Sequence, residues 1–280
     1  MAVTETVTTA SKDPARAGSE PAAYPVRRVT TDDLRASLRD GYNDFLEHRG
    51  DLIFIGLIYP LIGLVAAAAA LGGTLSQYFF PIAFGVALLG PVAATGFYEI
   101  ARRQEEGLES DWSHFLDIVK RPSFDSITAV IAILLVIFGF WIATAGLLYA
   151  ALLGPPPGAI GDFIARLVTT TEGWSLILIG NLLGAIFAVL VLAVSVVSLP
   201  MLVDRDVGAR AAIATSVAVV RANFGVMFLW GLTVLVLLVL GSLPLFVGLA
   251  FVLPWLGYAT WHLYTRAVDR SALPPPTPTE

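Results

Sequence analysis

Long apolar stretches alternate with short polar ones along the chain. Asp, Glu, Lys and Arg are all absent from residues 52–98, 126–153, 174–203 and 222–265. A transmembrane helix needs about 20 predominantly apolar residues, because the hydrocarbon core of a bilayer is about 30 Å thick. The four stretches supply that length several times over. The pattern therefore predicts an all-α, polytopic membrane protein.

We expect six transmembrane helices in these stretches. The last stretch is long enough for two crossings, and we divide it at the turn signal Gly241-Ser242-Leu243-Pro244 near its middle. The predicted spans are residues 52–71, 79–100, 126–153, 174–203, 224–241 and 245–263.

The spans define a six-helix transmembrane domain at residues 30–268. The flanking segments, 1–29 and 269–280, are small, polar and rich in proline, so we expect disordered tails there.

The distribution of Lys and Arg predicts the orientation, because these residues are enriched in the cytoplasmic connections of membrane proteins. The two ends and the alternate connections carry 16 of the 17 Lys and Arg residues, and the remaining connections hold only Arg166. We therefore expect both termini in the cytoplasm. Arg outnumbers Lys 15 to 2, which is typical of GC-rich bacterial genomes and favours a bacterial inner membrane.

The cytoplasmic segments before the odd-numbered spans are predicted to be amphipathic helices, at residues 31–49, 110–121 and 208–221. Each ends with an arginine, followed two residues later by a polar residue able to cap the first turn of the span. The predicted N-caps are Asp51, Ser123 and Asn223. The pattern favours three hairpins, each preceded by an interfacial helix. Alternatively, inner-leaflet junctions in general acquire an arginine and a cap.

A longer connection separates the third and fourth spans. Residues 154–173 begin with a Pro-rich stretch and continue with apolar residues at helical spacing, opposite Asp162 and Arg166. We predict a short helix on the extracytoplasmic surface, either a lid over the bundle or a docking surface for a partner.

Span four carries a small-residue motif for close helix packing. Gly180 and Gly184 are four residues apart, and Ala188 extends the same face. Asn181 lies beside them and is a candidate for a hydrogen bond across a helix contact. Packing within one molecule and dimerisation both stay open.

Ionisable residues are absent from the middle of every predicted span, which disfavours proton-coupled transport through a buried carboxylate. Glu99 and His262 lie within one turn of the cytoplasmic ends of spans two and six. They form either a proton-sensitive pair at an inner mouth or interfacial residues held by nearby arginines.

Catalytic chemistry has little support in the sequence. There is no Cys, all three His are predicted at the cytoplasmic face, and no nucleophile, zinc-protease or phosphate-loop motif occurs. We expect no enzyme activity, no catalytic or cofactor-binding residue, no metal site and no nucleic-acid partner.

Three stretches of the chain resemble a known family. They are GPVAATGFYEIARRQEEG (90–107), SLPMLVDRDVGARAAIATSVAVVRANFG (198–225) and LPLFVGLAFVLPWLGYATWHLYTRAV (243–268). Across roughly residues 30–268, the chain resembles the bacterial integral membrane proteins catalogued as domain of unknown function 2189. Tyr264-Thr265-Arg266 stands where a more basic ending is expected. The resemblance implies a polytopic inner-membrane protein with no established activity, and it supplies no catalytic residues.

Two functions are compatible with these features. The first is a non-enzymatic accessory, structural or assembly factor that acts through contacts with other membrane proteins or lipid. The second is a small permease for a neutral or apolar solute, with a path lined by glycine, threonine and Asn181. A polar-lined cavity at mid-bilayer favours the permease, and a tightly packed bundle favours the accessory factor. The expected partners are the lipid bilayer, other membrane proteins or a second copy of the chain.

Overall fold

The computed structural model describes residues 22–47, 90–154, 160–244 and 247–276. Within these ranges the fold is all-helical, with nine α-helices, two 3₁₀-helices and no β-strand. The α-helices are α1 (Thr31–Glu47), α2 (Gly90–Glu105), α3 (Phe124–Leu153), α4 (Ile160–Thr169), α5 (Thr171–Ser195), α6 (Ser198–Asp204), α7 (Ala209–Ala222), α8 (Phe224–Ser242) and α9 (Leu249–Ala267). The 3₁₀-helices are Trp112–Lys120 and Arg270–Ala272. The predicted first span, the first half of the second span and the predicted cap Asp51 lie outside the described residues.

Three helical segments among the described residues are long and apolar enough to cross a membrane. They are α3, the run Thr171–Asp204 that α5 and α6 form, and α8. They coincide with the predicted third, fourth and fifth spans. At 1.5 Å per residue, the 30 residues of α3 measure about 45 Å, which is the thickness of a bilayer with its headgroup regions. The arrangement of six spans in three hairpins stays a prediction.

Helix α9 overlaps most of the predicted sixth span but differs from the three apolar segments. It contains Pro254, and most of its residues from Leu256 onward are buried. Tyrosine, tryptophan, threonine and histidine side chains make it less apolar than α3, α5 or α8. Gly257 permits close packing on α2, since a Cβ at this position would lie 2.6 Å from the Cβ of Phe97. We conclude that α9 belongs to the interior of the bundle.

The most completely buried part of the core lies where α2, α6, α7 and the second half of α9 meet, and the core continues along α3 as far as Trp141. All seven residues of α6 are buried. The largest fully buried side chains include Trp230, Trp261, Tyr258 and Tyr264, which join α8 and α9 to this core.

Both ends of the described chain lie together at the core. An isolated β-bridge pairs Val26 with Val268, and the Arg27 amide donates to the Ala267 carbonyl at 2.8 Å. Tyr24 is buried, and its amide donates to a hydroxyl on α7 at 2.9 Å. The predicted disorder of both tails is therefore wrong for residues 24–29 and 268–269, because their backbone groups pair with each other and with α7.

The predicted amphipathic α-helix at residues 110–121 is replaced by the 3₁₀-helix Trp112–Lys120. A 3₁₀-helix has three residues per turn, so residues three apart share a face. Phe115 packs edge-on against Phe97 of α2, and Ile118 is buried.

A second face of this 3₁₀-helix points outward. Leu116 and Val119 on it are 68% and 53% exposed, so Val119 does not share the face of Phe115 and Ile118. The third face is charged: Asp117 lies 2.6 Å from both His114 and Lys120. The hydrogen bond from Lys120 outweighs partial burial and lowers the pKa of Asp117.

The other two predicted amphipathic helices are α1 and α7, and both pack against protein. Helix α1 buries Leu34, Ser37, Gly41 and Phe45. Helix α7 buries six residues, including Thr215, Ser216 and Val219. The three predicted interfacial segments thus differ in helix type and in surroundings.

The predicted extracytoplasmic helix corresponds to α4. Phe163 is buried and lies 6.0 Å from the ring of Tyr149, whereas Ile164 and Val168 are exposed. Arg166 donates to the carbonyl of Leu153 at the end of α3. The choice between a lid and a docking surface stays open.

Candidate functional site

Buried charges gather where α2 approaches the beginning of α3 and the end of α6. On α2, Arg102 Nη2 donates to Glu99 Oε1 at 2.6 Å, and Arg102 Nε donates to Glu99 Oε2 at 3.0 Å. Both side chains are only 1% exposed. The third nitrogen of Arg102 donates to Glu106. Burial lowers the pKa of this guanidinium, but the two carboxylates outweigh burial and raise it, so Arg102 is held charged.

Asp204, the last residue of α6, is a second centre of buried charge. Its Oδ2 accepts from the Tyr264 hydroxyl at 2.6 Å and from Arg270 Nε at 2.9 Å. Its Oδ1 accepts from Arg205 at 2.7 Å and from Arg270 Nη2 at 3.2 Å. Burial lowers the pKa of Arg270, but its carboxylate partners outweigh burial and raise it. Asp204 therefore joins the end of α6 to the end of α9.

Glu105 connects this second centre to α2. It accepts from Trp261 Nε1 at 3.0 Å and from Arg270 Nη1. The Arg270 guanidinium also lies 5.9 Å from the centre of the Trp261 ring, within the range of a cation–π contact. Arg270 thus contacts residues of three helices, although it follows the last long helix of the described chain.

Arg121 lies between the two centres, just before α3. Its Nη2 donates to the Val203 carbonyl at 2.7 Å, and its Nε lies 3.9 Å from Glu99 Oε2. Its Nε and Nη1 are buried without a hydrogen-bond partner. Burial and the nearby charge of Arg102 lower the pKa of Arg121. It is therefore less well compensated than the other arginines at this site.

We call this set the charged core. It comprises Glu99, Arg102, Glu105, Glu106, Arg121, Asp204, Arg205, Tyr264 and Arg270. Each of its four carboxylates contacts an arginine, so none is placed to serve as a free base. The arrangement suits a tertiary clamp between α2, α6 and α9 better than acid–base chemistry.

A glycine shapes the turn that follows Asp204. The chain leaves α6 and enters α7 through Gly208, whose φ of 74° and ψ of 146° form a conformation that only glycine adopts readily. This turn points α7 back along the bundle while Asp204 stays in the core.

The predicted inner-mouth pair has separate partners. Glu99 is bound by Arg102, whereas His262 Nε2 lies 2.6 Å from Asp44 Oδ2 on α1. One turn later on α9 and one turn earlier on α1, Arg266 contacts Asp40 at 2.5 Å. Proton sensitivity of Glu99 and His262 stays a prediction.

Close backbone contact and aromatic packing also hold α1 against α9. A Cβ at Gly41 would lie 2.6 Å from the Cα of Ala259, so the two backbones touch. The ring of Phe45 lies 4.6 Å from that of Phe251 in an edge-on contact. Trp255 Nε1 donates to a carbonyl of α1 at 2.8 Å.

The contact between Asp40 and Arg266 predicts a pH dependence. Partial burial raises the pKa of Asp40, but the hydrogen bond and charge of Arg266 outweigh it and lower the pKa below 3.8. A lowered folded-state pKa stabilises the fold above the unfolded-state pKa, and this stabilisation is lost as pH falls through the folded-state pKa. We expect Asp40→Asn to lower the melting temperature in detergent at pH 7 and to have a smaller effect near pH 3.

Because the side chains of Asp40 and Arg266 are both partly exposed, Asp40→Asn should lower the free energy of unfolding at pH 7 by at most about 1 kcal/mol. Asp32→Asn is the control, because Asp32 and its partner Arg35 are both largely exposed. An Asp40→Asn effect of equal size at pH 7 and pH 3 would contradict this account.

The structure places Ser123 and Asn223 at the predicted N-cap positions of α3 and α8, but neither side chain caps its helix. Ser123 Oγ donates to the Leu202 carbonyl at 2.5 Å. Asn223 Oδ1 accepts from the Val29 amide at 2.9 Å. The prediction of side-chain caps is wrong because each polar group binds a distant segment instead.

The residues of the predicted packing motif face different surroundings. Gly184 is buried, and Ala188 is partly buried. Gly180 has room for a Cβ, whose nearest neighbour would be Leu148 at 3.8 Å. Asn181 is exposed and donates to the Ile177 carbonyl of its own helix at 2.7 Å. The role of the motif in helix packing stays a prediction.

Gly184 and Gly180 provide a matched test of this motif. We expect Gly184→Leu to lower the melting temperature in detergent clearly, because a large side chain would enter a buried position. Gly180→Ala should leave it nearly unchanged, since the added methyl group makes an ordinary contact. A Gly184→Leu protein as stable as wild type would place this residue toward lipid.

Metal binding has no support in the described residues. They contain no group of three or more His, Cys, Asp or Glu side chains that could hold a metal ion. His114, Asp111 and Asp117 lie on one face of the 3₁₀-helix and form ion pairs with each other or with Lys120.

Comparison with known proteins supports the membrane assignment. Residues 79–204 match the family model described as "Predicted integral membrane protein (DUF2189)". The chain is an integral membrane protein. The predicted resemblance to domain of unknown function 2189 is confirmed over this range, which includes α2 to α6. No curated protein and no solved structure matches the chain.

The charged core contains residues from each of the stretches 90–107, 198–225 and 243–268. Glu99 and Arg102 lie in the first stretch, Asp204 in the second and Tyr264 in the third. Asp204 is not among the site residues predicted from the sequence. The sequence feature that marks Asp204 is the motif Asp204-Arg205-Asp206-Val207-Gly208, which places charged residues directly after an apolar run.

Proposed function

We propose that this integral membrane protein is a non-enzymatic accessory or assembly factor that acts through contacts with other membrane proteins. The observation that carries the proposal is the contrast between the buried charges and the outer surface. The charges of the core bind one another inside the protein, whereas α8 presents an apolar face to its surroundings. Exposed residues of that face are Phe224, Phe228, Leu232, Leu235 and Val239.

The packing of the core supports a structural role. Buried side chains from all the described α-helices except α4 form one hydrophobic cluster. A shared core of this kind holds the apolar helices in fixed positions, which suits a protein that presents a surface. The permease alternative has less support in the described residues, because Asn181 lies on the exposed side of α5 instead of between helices.

We further propose a bacterial inner-membrane location with both termini cytoplasmic. The count of Lys and Arg supports it, and so does the pairing of residues 25–27 with 267–269, which brings both ends of the described chain to one side. A phosphatase fused at residue 275 should be inactive, and a fluorescent protein fused there should fluoresce. An active phosphatase would overturn the orientation.

Site-specific photo-crosslinking in living cells tests the proposed contacts. A photoreactive residue at Phe140 of α3, Leu182 of α5 or Phe228 of α8 samples each exposed apolar face, and one at Trp230, which is 1% exposed, is the buried control. We expect at least one exposed position to give a protein adduct of fixed mass that the control lacks. Lipid adducts alone at all three positions would contradict a protein-contact function.

Proteoliposomes test the alternative. Purified protein should not increase the flux of small neutral solutes above that of protein-free liposomes. A flux that Gly184→Leu or Asp204→Asn abolishes would favour the permease instead.

A further inference from the structure

The 3₁₀-helix Trp112–Lys120 has an outward face that no described element covers. Three residues per turn place Ser113, Leu116 and Val119 on this face. Leu116 is as exposed as outward-facing residues of the apolar helices: it is 68% exposed, compared with 65% for Phe140 and 72% for Leu147 on α3.

The segment is held rigidly in place. The ring of Phe115 fills the space over Gly96 of α2, where a Cβ would lie 2.4 Å from a ring carbon. At its other end, Arg121 and Ser123 donate to carbonyls at the end of α6. The outward position of Leu116 and Val119 is therefore fixed by contacts on both sides.

The depth of the segment follows from the length of α3. Its 30 residues measure about 45 Å, whereas the hydrocarbon core is about 30 Å thick and the headgroup regions extend the bilayer to 40–45 Å. A helix of this length that crosses the bilayer along its normal has its first residue at headgroup level. The 3₁₀-helix ends only four residues before it, so Leu116 and Val119 lie where a side chain can reach the acyl chains.

Charge at the same end of the segment suits a phospholipid surface. The side chain of Lys120 is 77% exposed, and among the described residues it forms an ion pair with Asp117. Exposed ion pairs contribute little free energy, so the ammonium group of Lys120 can exchange Asp117 for a phosphate at small cost. Apolar side chains beside an exposed basic residue are typical of interfacial membrane contacts.

We propose that the 3₁₀-helix is a lipid-contact site of the leaflet that α3 enters. Leu116 and Val119 insert at the boundary of the acyl chains, and Lys120 binds the phosphate of an anionic phospholipid. The proposal concerns lipid and does not depend on the protein contacts proposed above.

Spin labelling tests the apolar part directly, because the chain has no native Cys. Single cysteines are introduced into the full chain, which is reconstituted in phospholipid nanodiscs and probed with oxygen and a water-soluble nickel chelate. Labels at Leu116 and Val119 should collide more with oxygen, like a lipid reference at Leu147. Labels at Asp111 and Lys120 should collide more with nickel, like an aqueous reference at Glu109.

Two results would overturn the apolar contact. Nickel collisions at positions 116 and 119 equal to those at 109 would show that the face points into water. Protection of both positions from oxygen and nickel would show that protein covers it.

The phosphate contact has a separate test. A fluorophore at Leu116→Cys is quenched by headgroup-labelled phosphatidylglycerol or phosphatidylcholine, and the ratio of the two reports the preference for the anionic lipid. Lys120→Gln should lower this ratio by up to about fivefold. Arg210→Gln, a matched loss of charge at an exposed position of α7, should leave it unchanged. An equal ratio in wild type and Lys120→Gln would overturn the phosphate contact alone.

Discussion

We expect Asp204→Asn to lower the free energy of unfolding by about 3–5 kcal/mol, the usual cost of breaking a buried ion pair by removing one partner. Asp204 is fully buried and accepts hydrogen bonds from Tyr264, Arg205 and Arg270. Asparagine keeps the shape of the side chain but removes the charge. It also turns an NH₂ group toward partners that are themselves donors. Arg205 would then lose the carboxylate that compensates its charge, and Arg270 would keep Glu105 but lose its buried partner.

The neighbouring Asp206 provides a matched control, because it lies two residues further along and is exposed. Asp206→Asn should change the free energy of unfolding by less than about 0.5 kcal/mol. Thermal unfolding in mild detergent, followed by size-exclusion chromatography, measures both variants. If the two variants are equally stable, Asp204 is not the centre of the charged core.

The apolar pattern predicted the positions of α3, α5 and α8 closely, because a run of some 20 apolar residues has few other uses in a protein. The charged core was not predictable in the same way. Glu99 and Arg102 are one turn apart on α2, but Asp204 and Arg270 come from distant parts of the chain. No periodicity in a sequence shows which distant charges will meet.

The segment Trp112–Lys120 shows that the spacing of apolar residues did not predict the type of helix. Spacing of i and i+3 belongs to both α- and 3₁₀-helices, so the apolar residues of this segment fit either period. The packing of Phe115 over Gly96 fixes the outcome, and that contact comes from another helix.

Ser123 and Asn223 show that the position of a polar residue before a helix does not predict which group its side chain binds. The positions are correct, since both residues directly precede their helices. Their side chains nevertheless bind Leu202 and Val29, because tertiary partners compete with the first turn of the helix for the same polar group.

The second large effect is expected at Gly41, where α1 touches α9. A Cβ there would lie 2.4 Å from the backbone nitrogen of Ala259 and 2.6 Å from its Cα. Backbone atoms cannot move aside as a flexible side chain can, so the two helices must separate. We expect Gly41→Ala to destabilise the fold by about 1–3 kcal/mol, although alanine is the better helix former by about 1 kcal/mol.

Gly139→Ala is the matched control, because a Cβ at Gly139 in α3 meets nothing within 4 Å. It should be neutral or slightly stabilising, so the two identical substitutions are expected to act in opposite directions. A cysteine at Ser37, which is fully buried in α1, reports separation of α1 in this Cys-free chain. Maleimide should label it slowly in the wild-type background and faster with Gly41→Ala, but not faster with Gly139→Ala. Equal labelling in all three proteins would show that α1 tolerates the methyl group and that its contact with α9 is looser than the structure indicates.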